Sequence, residues 1–130
     1  PRPVRTGALI HLGTKITGRL ASPISAVELA GRLHPTPAVG GAPWERARAV
    51  IRELEGFERG WYGGPVGWMD STGDGEFAIA LRCALIEGAS ATLFAGAGIV
   101  CDSLPERESA ETAAKFRPML GAFGAEGVAG

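Results

Sequence analysis

Glu108, Glu111 and Lys115 lie within the segment Glu108-Ser-Ala-Glu111-Thr-Ala-Ala-Lys115, which follows the apolar run Phe94-Ala-Gly-Ala-Gly-Ile-Val100. On a helix these three positions fall at i, i+3 and i+7, within roughly 60° of one another about the axis. Two carboxylates and one ammonium on a common stripe suit a magnesium ion bound to an anionic substrate. The plainer reading is a solvated face on which Glu111 and Lys115 form an i,i+4 pair contributing roughly 0.3–0.5 kcal/mol.

Arg82 is the second chemically suggestive residue. Strand alternation over 76–86 places it among Ala78, Ala80 and Ala84, with Phe77, Ile79, Leu81, Cys83 and Leu85 on the other face. Small neighbours leave room above the sheet, and a guanidinium facing that room is suited to bidentate capture of a carboxylate. An edge arginine reaching water over small residues has the same pattern. Gly96 and Gly98 share a face of the following predicted strand, 91–101, which weakens a strand unless a ligand or another backbone approaches closely; a bulge or packing under a bulky side chain is the alternative. Ala95-Gly-Ala-Gly98 is no dinucleotide fingerprint, because it lacks the third glycine and the strand-to-helix turn. His11 on an apolar strand and His34 before a proline each read more readily as a satisfied structural histidine than as a lone metal ligand.

The elements that must hold these groups can be read in order. Residues 7–20 are β-prone and interrupted at Gly13, giving one bent strand or two short ones. Ser22 with Pro23 reads as a helix start, and Ala26, Leu29, Ala30 and Leu33 form a helical stripe. His34-Pro-Thr-Pro-Ala-Val-Gly-Gly41 reads as an ordered loop, since its prolines disfavour helix. A second helix spans about 43–55, with Ala47, Val50, Ile51 and Leu54 on its apolar face. Strands then follow over 61–69, 76–86 and 91–101 as an antiparallel meander. Ser103 with Glu106 forms a capping-box pattern opening a helix to Leu120, and the glycine-rich tail 121–130 is expected to fray. The fold class is therefore α+β, an antiparallel meander with flanking helices in one domain covering 1–130.

Composition narrows the function. With 130 residues, 45% of them apolar and 21% charged, the chain has the size of one domain or part of one. A formal charge of −1 provides no electrostatic footprint for nucleic acid or an anionic membrane. The tryptophans and Tyr62 lack the basic clustering that base stacking needs, and read as core or interface residues. Cys83 and Cys101 form no CxxC pair, so neither a disulfide framework nor a zinc site is indicated, and a reducing cytoplasm is the natural compartment. No apolar run has the length of a membrane span. Pro1 in place of Met points to preceding sequence.

Taken together, Leu33-His-Pro-Thr-Pro-Ala38, Arg59-Gly-Trp-Tyr-Gly-Gly-Pro-Val-Gly67, Gly75-Glu-Phe-Ala-Ile-Ala-Leu-Arg82, Leu93-Phe-Ala-Gly-Ala-Gly-Ile-Val100 and Glu108-Ser-Ala-Glu111-Thr-Ala-Ala-Lys115 resemble the chorismate-utilising enzymes, with the isochorismate synthases the nearest group. The likeness runs from about Leu9 to Phe123. It implies Mg²⁺-assisted addition of water at one carbon of the chorismate ring with loss of hydroxyl from another. It also implies that the chain is the C-terminal part of a larger two-sheet domain. By position in the motifs, Glu111 would ligate Mg²⁺ and Glu108 would support the metal directly or through water. Lys115 and the backbone at Gly96 would hold one substrate carboxylate and Arg82 the other, with His11 near the reacting ring and Ala38 and Val39 shaping the pocket wall. Ala38 stands where salicylate synthases tend to have threonine, which favours isochorismate as product. Tyr62 resembles the salicylate synthase residue, which favours some elimination of pyruvate.

The family's general-base lysine, general-acid glutamate and a further magnesium-binding glutamate come from upstream sequence and have no match here. The 130 residues alone are therefore expected to be inactive. A separate reading is a non-catalytic module that binds itself or an N-terminal piece through exposed sheet surface. Menaquinone and siderophore pathways are both compatible with the resemblance.

Overall fold

The computed structural model describes residues 1–6 and 9–125, with the side chains of residues 6–11 also outside the description. Among the described residues six strands pair as three separate antiparallel hairpins. β1 (Arg2–Thr6) pairs with β2 (Leu9–Gly13), β3 (Pro65–Met69) with β4 (Gly75–Ile79), and β5 (Cys83–Glu87) with β6 (Ser90–Phe94). The helices are α1 (Ala26–Leu33), α2 (Pro37–Gly40), α3 (Trp44–Leu54) and α4 (Pro105–Ala122). The class is α+β, with the expected continuous meander divided into hairpins.

Each turn has a local cause. Between β5 and β6 only Gly88 and Ala89 intervene, and Gly88 at φ 61° supplies the positive dihedral that a primed two-residue turn requires at its first position. Between β3 and β4, Asp70 Oδ1 accepts from the backbone N of Thr72 at 2.9 Å, from that of Asp74 at 3.1 Å and from the Thr72 hydroxyl at 2.7 Å. That aspartate is thereby held ionised below the usual carboxylate range, chiefly by the Thr72 hydroxyl. The same turn anchors α1, because Ala26 N donates to Gly73 O at 2.8 Å. Ala26, Leu29 and Ala30 then face β3 and β4 as the helical spacing predicts.

Several boundaries differ from the sequence reading. Residues 14–20 are not strand, and α1 starts at Ala26 with Ser25 as its cap, whose hydroxyl accepts from Glu28 N at 3.2 Å; Ser22 is not the cap. Pro37 opens a helical turn inside the predicted loop, which is permitted because the first helical position needs no N–H donor. Residues 61–64 form a turn, so β3 begins at Pro65. Ser103 does not cap α4: its hydroxyl accepts from Val100 N at 3.1 Å, and the helix starts after Leu104 with Pro105 in its first turn. At the other end the helix continues through Ala122 and closes with Gly124 at φ 65° and Ala125 N on Leu120 O, so the predicted fraying does not begin at Gly121. Residues 126–130 of that tail lie outside the description.

The strand predicted over 76–86 is two strands. Gly63 N donates to Ala80 O and Ala80 N to Gly64 O, which ties residue 80 to the 61–64 turn; Leu81 N then closes on Ile79 O. Arg82 follows at φ 49°, a left-handed conformation that costs a non-glycine residue about 1–2 kcal/mol. Alternation therefore restarts at Cys83, and Arg82 does not share a strand face with Ala78, Ala80 and Ala84. The strand predicted over 91–101 likewise ends at Phe94, leaving Gly96 and Gly98 in irregular backbone.

No large apolar side chain is buried among the described residues, and Gly40 and Gly63 are the buried positions there. Leu12, Ile16 and Trp61 are 77%, 89% and 77% exposed. The accessible surface is 10490 Å² for 13.4 kDa. A globular monomer of that mass has about 6,500 Å², so roughly 4,000 Å² is in excess. What holds the described chain together is the three hairpins, the packing of α1 on β3 and β4, and a contact region around Val39, Arg59, Tyr62, Gly96 and Lys115.

Candidate functional site

The site is built outward from α4. Its half-buried positions Glu108, Thr112, Lys115, Phe116, Met119 and Leu120 form one helical stripe, and the helix packs towards β6. Lys115 lies on this stripe at 21% side-chain exposure, whereas Glu111 stands beside it at 56%. Lys115 Nζ donates to Gly96 O at 2.8 Å and pairs with Glu111 Oε1 at 2.6 Å. An ammonium has three N–H donors, so one is left for an anionic ligand. The hydrogen bond from Lys115, reinforced by its charge, holds the Glu111 carboxyl below the usual range.

The departure of 95–100 from the sheet is what makes this contact available. Inside a ladder the Gly96 carbonyl would be occupied by the neighbouring strand; outside it the carbonyl accepts from Lys115. Gly96 also admits Tyr62, since a Cβ there would lie 2.8 Å from the Tyr62 hydroxyl. The Tyr62 ring stacks on Phe94 with centroids 5.4 Å apart and 17° between planes. Burial raises its phenol pKa, and the positive charge of Arg59 opposes that shift.

Arg59 carries the contact on to the pocket loop. Its Nε and Nη2 donate to the two Glu55 carboxylate oxygens at 2.7 and 2.5 Å, its Nη1 donates to Val39 O at 3.2 Å, and its guanidinium lies 5.6 Å from the Tyr62 ring centre. The Glu55 hydrogen bonds outweigh burial and raise the arginine's pKa above its ordinary value. These residues line one side of an open cavity of about 760 Å³, with His34, Trp44 and Ile51 also on its wall. The His34 Nδ1 atom is buried without a partner among the described residues.

Of the sequence-predicted site residues, Val39, Tyr62, Gly96, Lys115 and Glu111 are thus joined through successive contacts. Ala38 is exposed next to Val39 on α2. Arg82 is half-buried between β4 and β5 and makes no side-chain hydrogen bond or ion pair among the described residues. His11 lies opposite Val4 in the first hairpin, and its side chain is outside the description. Glu108 and Glu111 provide hard oxygen donors one helical turn apart, and no group of three or more potential ligands gathers among the described residues. That donor set fits Mg²⁺, which takes one or two carboxylates and keeps water or substrate oxygens in its other positions. The sequence reading missed the Glu55–Arg59 pair. Its i,i+4 spacing was the available signal, obscured because Arg59 lies beyond the end of α3 at Leu54.

A family profile described as "Chorismate binding enzyme" matches residues 1–124. The chain belongs to the chorismate-binding enzyme family. Isochorismate synthase MenF of Bacillus subtilis is 52% identical over 122 residues, covering 94% of this chain and 26% of the relative. Isochorismate synthase DhbC of the same organism is 49% identical over 127 residues, covering 97% and 32% respectively. A crystal structure of DhbC from Bacillus anthracis superposes with a TM-score of 0.81 at 49% identity, covering 84% of this chain and 29% of that one. The chain spans between about a quarter and a third of the length of these relatives. No described helix is long and apolar enough to cross a membrane.

Proposed function

We propose that this chain carries the C-terminal, carboxylate-binding part of an isochorismate synthase. The observation that carries the proposal is Lys115, held between Gly96 O and Glu111 with a donor to spare, and the relatives named isochorismate synthase support it. In this reading Lys115 and the Gly96 backbone hold one chorismate carboxylate, and Arg82 holds the other. Both side chains carry charged donors of the kind that bind carboxylates strongly. Val39 and Ala38 form the wall, Tyr62 the floor beside Gly96, and His11 stands near the ring.

Glu108 and Glu111 would hold Mg²⁺, which supplies positive charge against a substrate carboxylate. Of the chain's own side chains, Lys115 and Arg82 hold the dianion in one orientation. The reaction exchanges a ring hydroxyl for water and needs one proton taken from the attacking water and one given to the departing hydroxyl, for which the chain supplies no lysine–glutamate pair matching the family's base and acid. The two cysteines are free thiols, in keeping with work in the cytoplasm.

An isomerase assay with chorismate and Mg²⁺ tests the proposal. No turnover is expected from the chain alone, and turnover is expected when the remaining portion of a relative such as DhbC is supplied alongside it. Turnover by the chain alone near that of a complete isochorismate synthase would overturn the assignment of roles. Failure of complementation with a folded partner would overturn the functional reading.

Two observations support other activities. Tyr62, which resembles the residue found in salicylate synthases, favours some elimination of pyruvate, which would reveal itself by release of pyruvate in the complemented assay. The excess exposed surface favours a non-catalytic module that associates with itself or a partner.

A further inference from the structure

Of the two buried residues among those described, Gly40 follows Val39 in the chain and packs against Pro35 and Trp44, and Gly63 packs against the Val39 side chain. Gly63 sits at φ 79°, and a Cβ there would lie 2.7 Å from Val39 Cγ1. Distant segments meet closely at this point beside the cavity, and Arg59 spans it. One guanidinium reaches the C-terminal cap of α3 through Glu55, the α2 backbone through Val39 O, and the face of Tyr62.

We infer that Glu55 and Arg59 are a positioning pair that fixes Val39 and Tyr62 relative to each other on the wall of the chorismate pocket. The inference rests on the chorismate reading for its consequence but not for its geometry. Only arginine meets the geometry: two donors of the fork fill both Glu55 oxygens and a third points away to Val39 O, which a single ammonium cannot reproduce. Glu55 cancels the charge, so the pair does not compete with Lys115 and Arg82 for the substrate dianion. Beyond Tyr62 the contacts continue through Gly96 to Lys115 and Glu111. Displacing the ring therefore alters the residue that receives the carboxylate.

Tyr62 is the one tyrosine in the chain, so phenolate absorbance reports on it alone. The variants are Arg59→Gln and Glu55→Gln, measured with far-UV circular dichroism as a check on folding. If Arg59 holds the ring, Arg59→Gln releases it to water, and its pKa falls towards the ordinary value of 10.0. If the ring is held by Phe94 alone, removing the neighbouring positive charge raises the pKa further, and the inference is overturned. Glu55→Gln removes a charge that itself raises the phenol pKa, so for that variant the readout is near-UV circular dichroism of the Tyr62–Phe94 stack, whose loss supports the pair and whose persistence overturns it should Arg59→Gln not fold. Chorismate affinity in Mg²⁺ is expected to weaken on the order of tenfold in either variant, as misplacement of a pocket wall does. Absence of chorismate binding by the unaltered chain would refute the functional reading while leaving the phenol titration to judge the pair. Unchanged titration and unchanged affinity in folded variants would refute the pair.

Discussion

Replacing Lys115 with methionine keeps most of the apolar stem of the side chain and removes the ammonium, with both its charge and its hydrogen-bond donors. In the structure the ammonium donates to Gly96 O at 2.8 Å at a partly covered site. A hydrogen bond from a charged group contributes about 1.5–3 kcal/mol when well shielded. With a fifth of the side chain open to water, solvent screening discounts that figure to about 1–2 kcal/mol. The pair with Glu111 adds little, since that carboxylate is exposed. Lys115→Met should therefore lower the urea midpoint by an amount corresponding to about 1–2 kcal/mol, with Lys115→Arg recovering part of it.

A pH signature separates this from a generic packing loss. Glu111 has a folded pKa below its ordinary 4.5, so its contribution is present above that value and is lost as pH falls through the lower folded value. Lys115→Met should abolish this acid-side slope and return the Glu111 carboxyl to the ordinary range in an NMR titration. An unchanged Glu111 titration in a folded variant would refute the reasoning, because it would mean that the two side chains do not meet.

Gly96→Ala should push the Tyr62 ring off Phe94, because the added methyl lies 2.8 Å from the phenol oxygen; near-UV circular dichroism would show the loss of stacking, with a cost of about 1–3 kcal/mol. Arg82→Gly should raise stability by up to about 1 kcal/mol by relieving the left-handed backbone, while weakening chorismate binding by more than about tenfold. Equal losses of stability and affinity would contradict that division. The uncovered apolar surface should drive self-association, visible by analytical ultracentrifugation at micromolar concentration, and a well-behaved monomer would contradict it.

Much of the fold was legible because periodicity is a local property. The stripe of Ala26, Leu29 and Ala30 follows from 3.6 residues per turn, as does the shared face of Glu108 and Lys115, and Gly88 marks its hairpin directly. The breaks at Arg82 and Ala95 were not legible. Leu81-Arg82 has no turn chemistry, and the break there accompanies hydrogen bonds from Gly63 N to Ala80 O and from Ala80 N to Gly64 O, made with residues distant in sequence. The α2 turn was hidden because a proline-rich segment looks like loop, although proline is excluded only from a helix interior. At the site, the Glu111–Lys115 pair was visible in its spacing. That Gly96 would present its carbonyl to Lys115 and its bare Cα to Tyr62 depended on the strand ending early, which no local pattern announced.

The central claim is that Lys115 and Arg82 each grip a carboxylate of one chorismate molecule. Calorimetric titration of the chain with chorismate in Mg²⁺ tests it most directly. Saturable binding at one site is predicted, weakened at least about tenfold by Lys115→Met and by Arg82→Gly separately, as loss of one charged hydrogen bond requires. Binding that is indifferent to both substitutions, or no binding at all by a folded chain, would contradict the account.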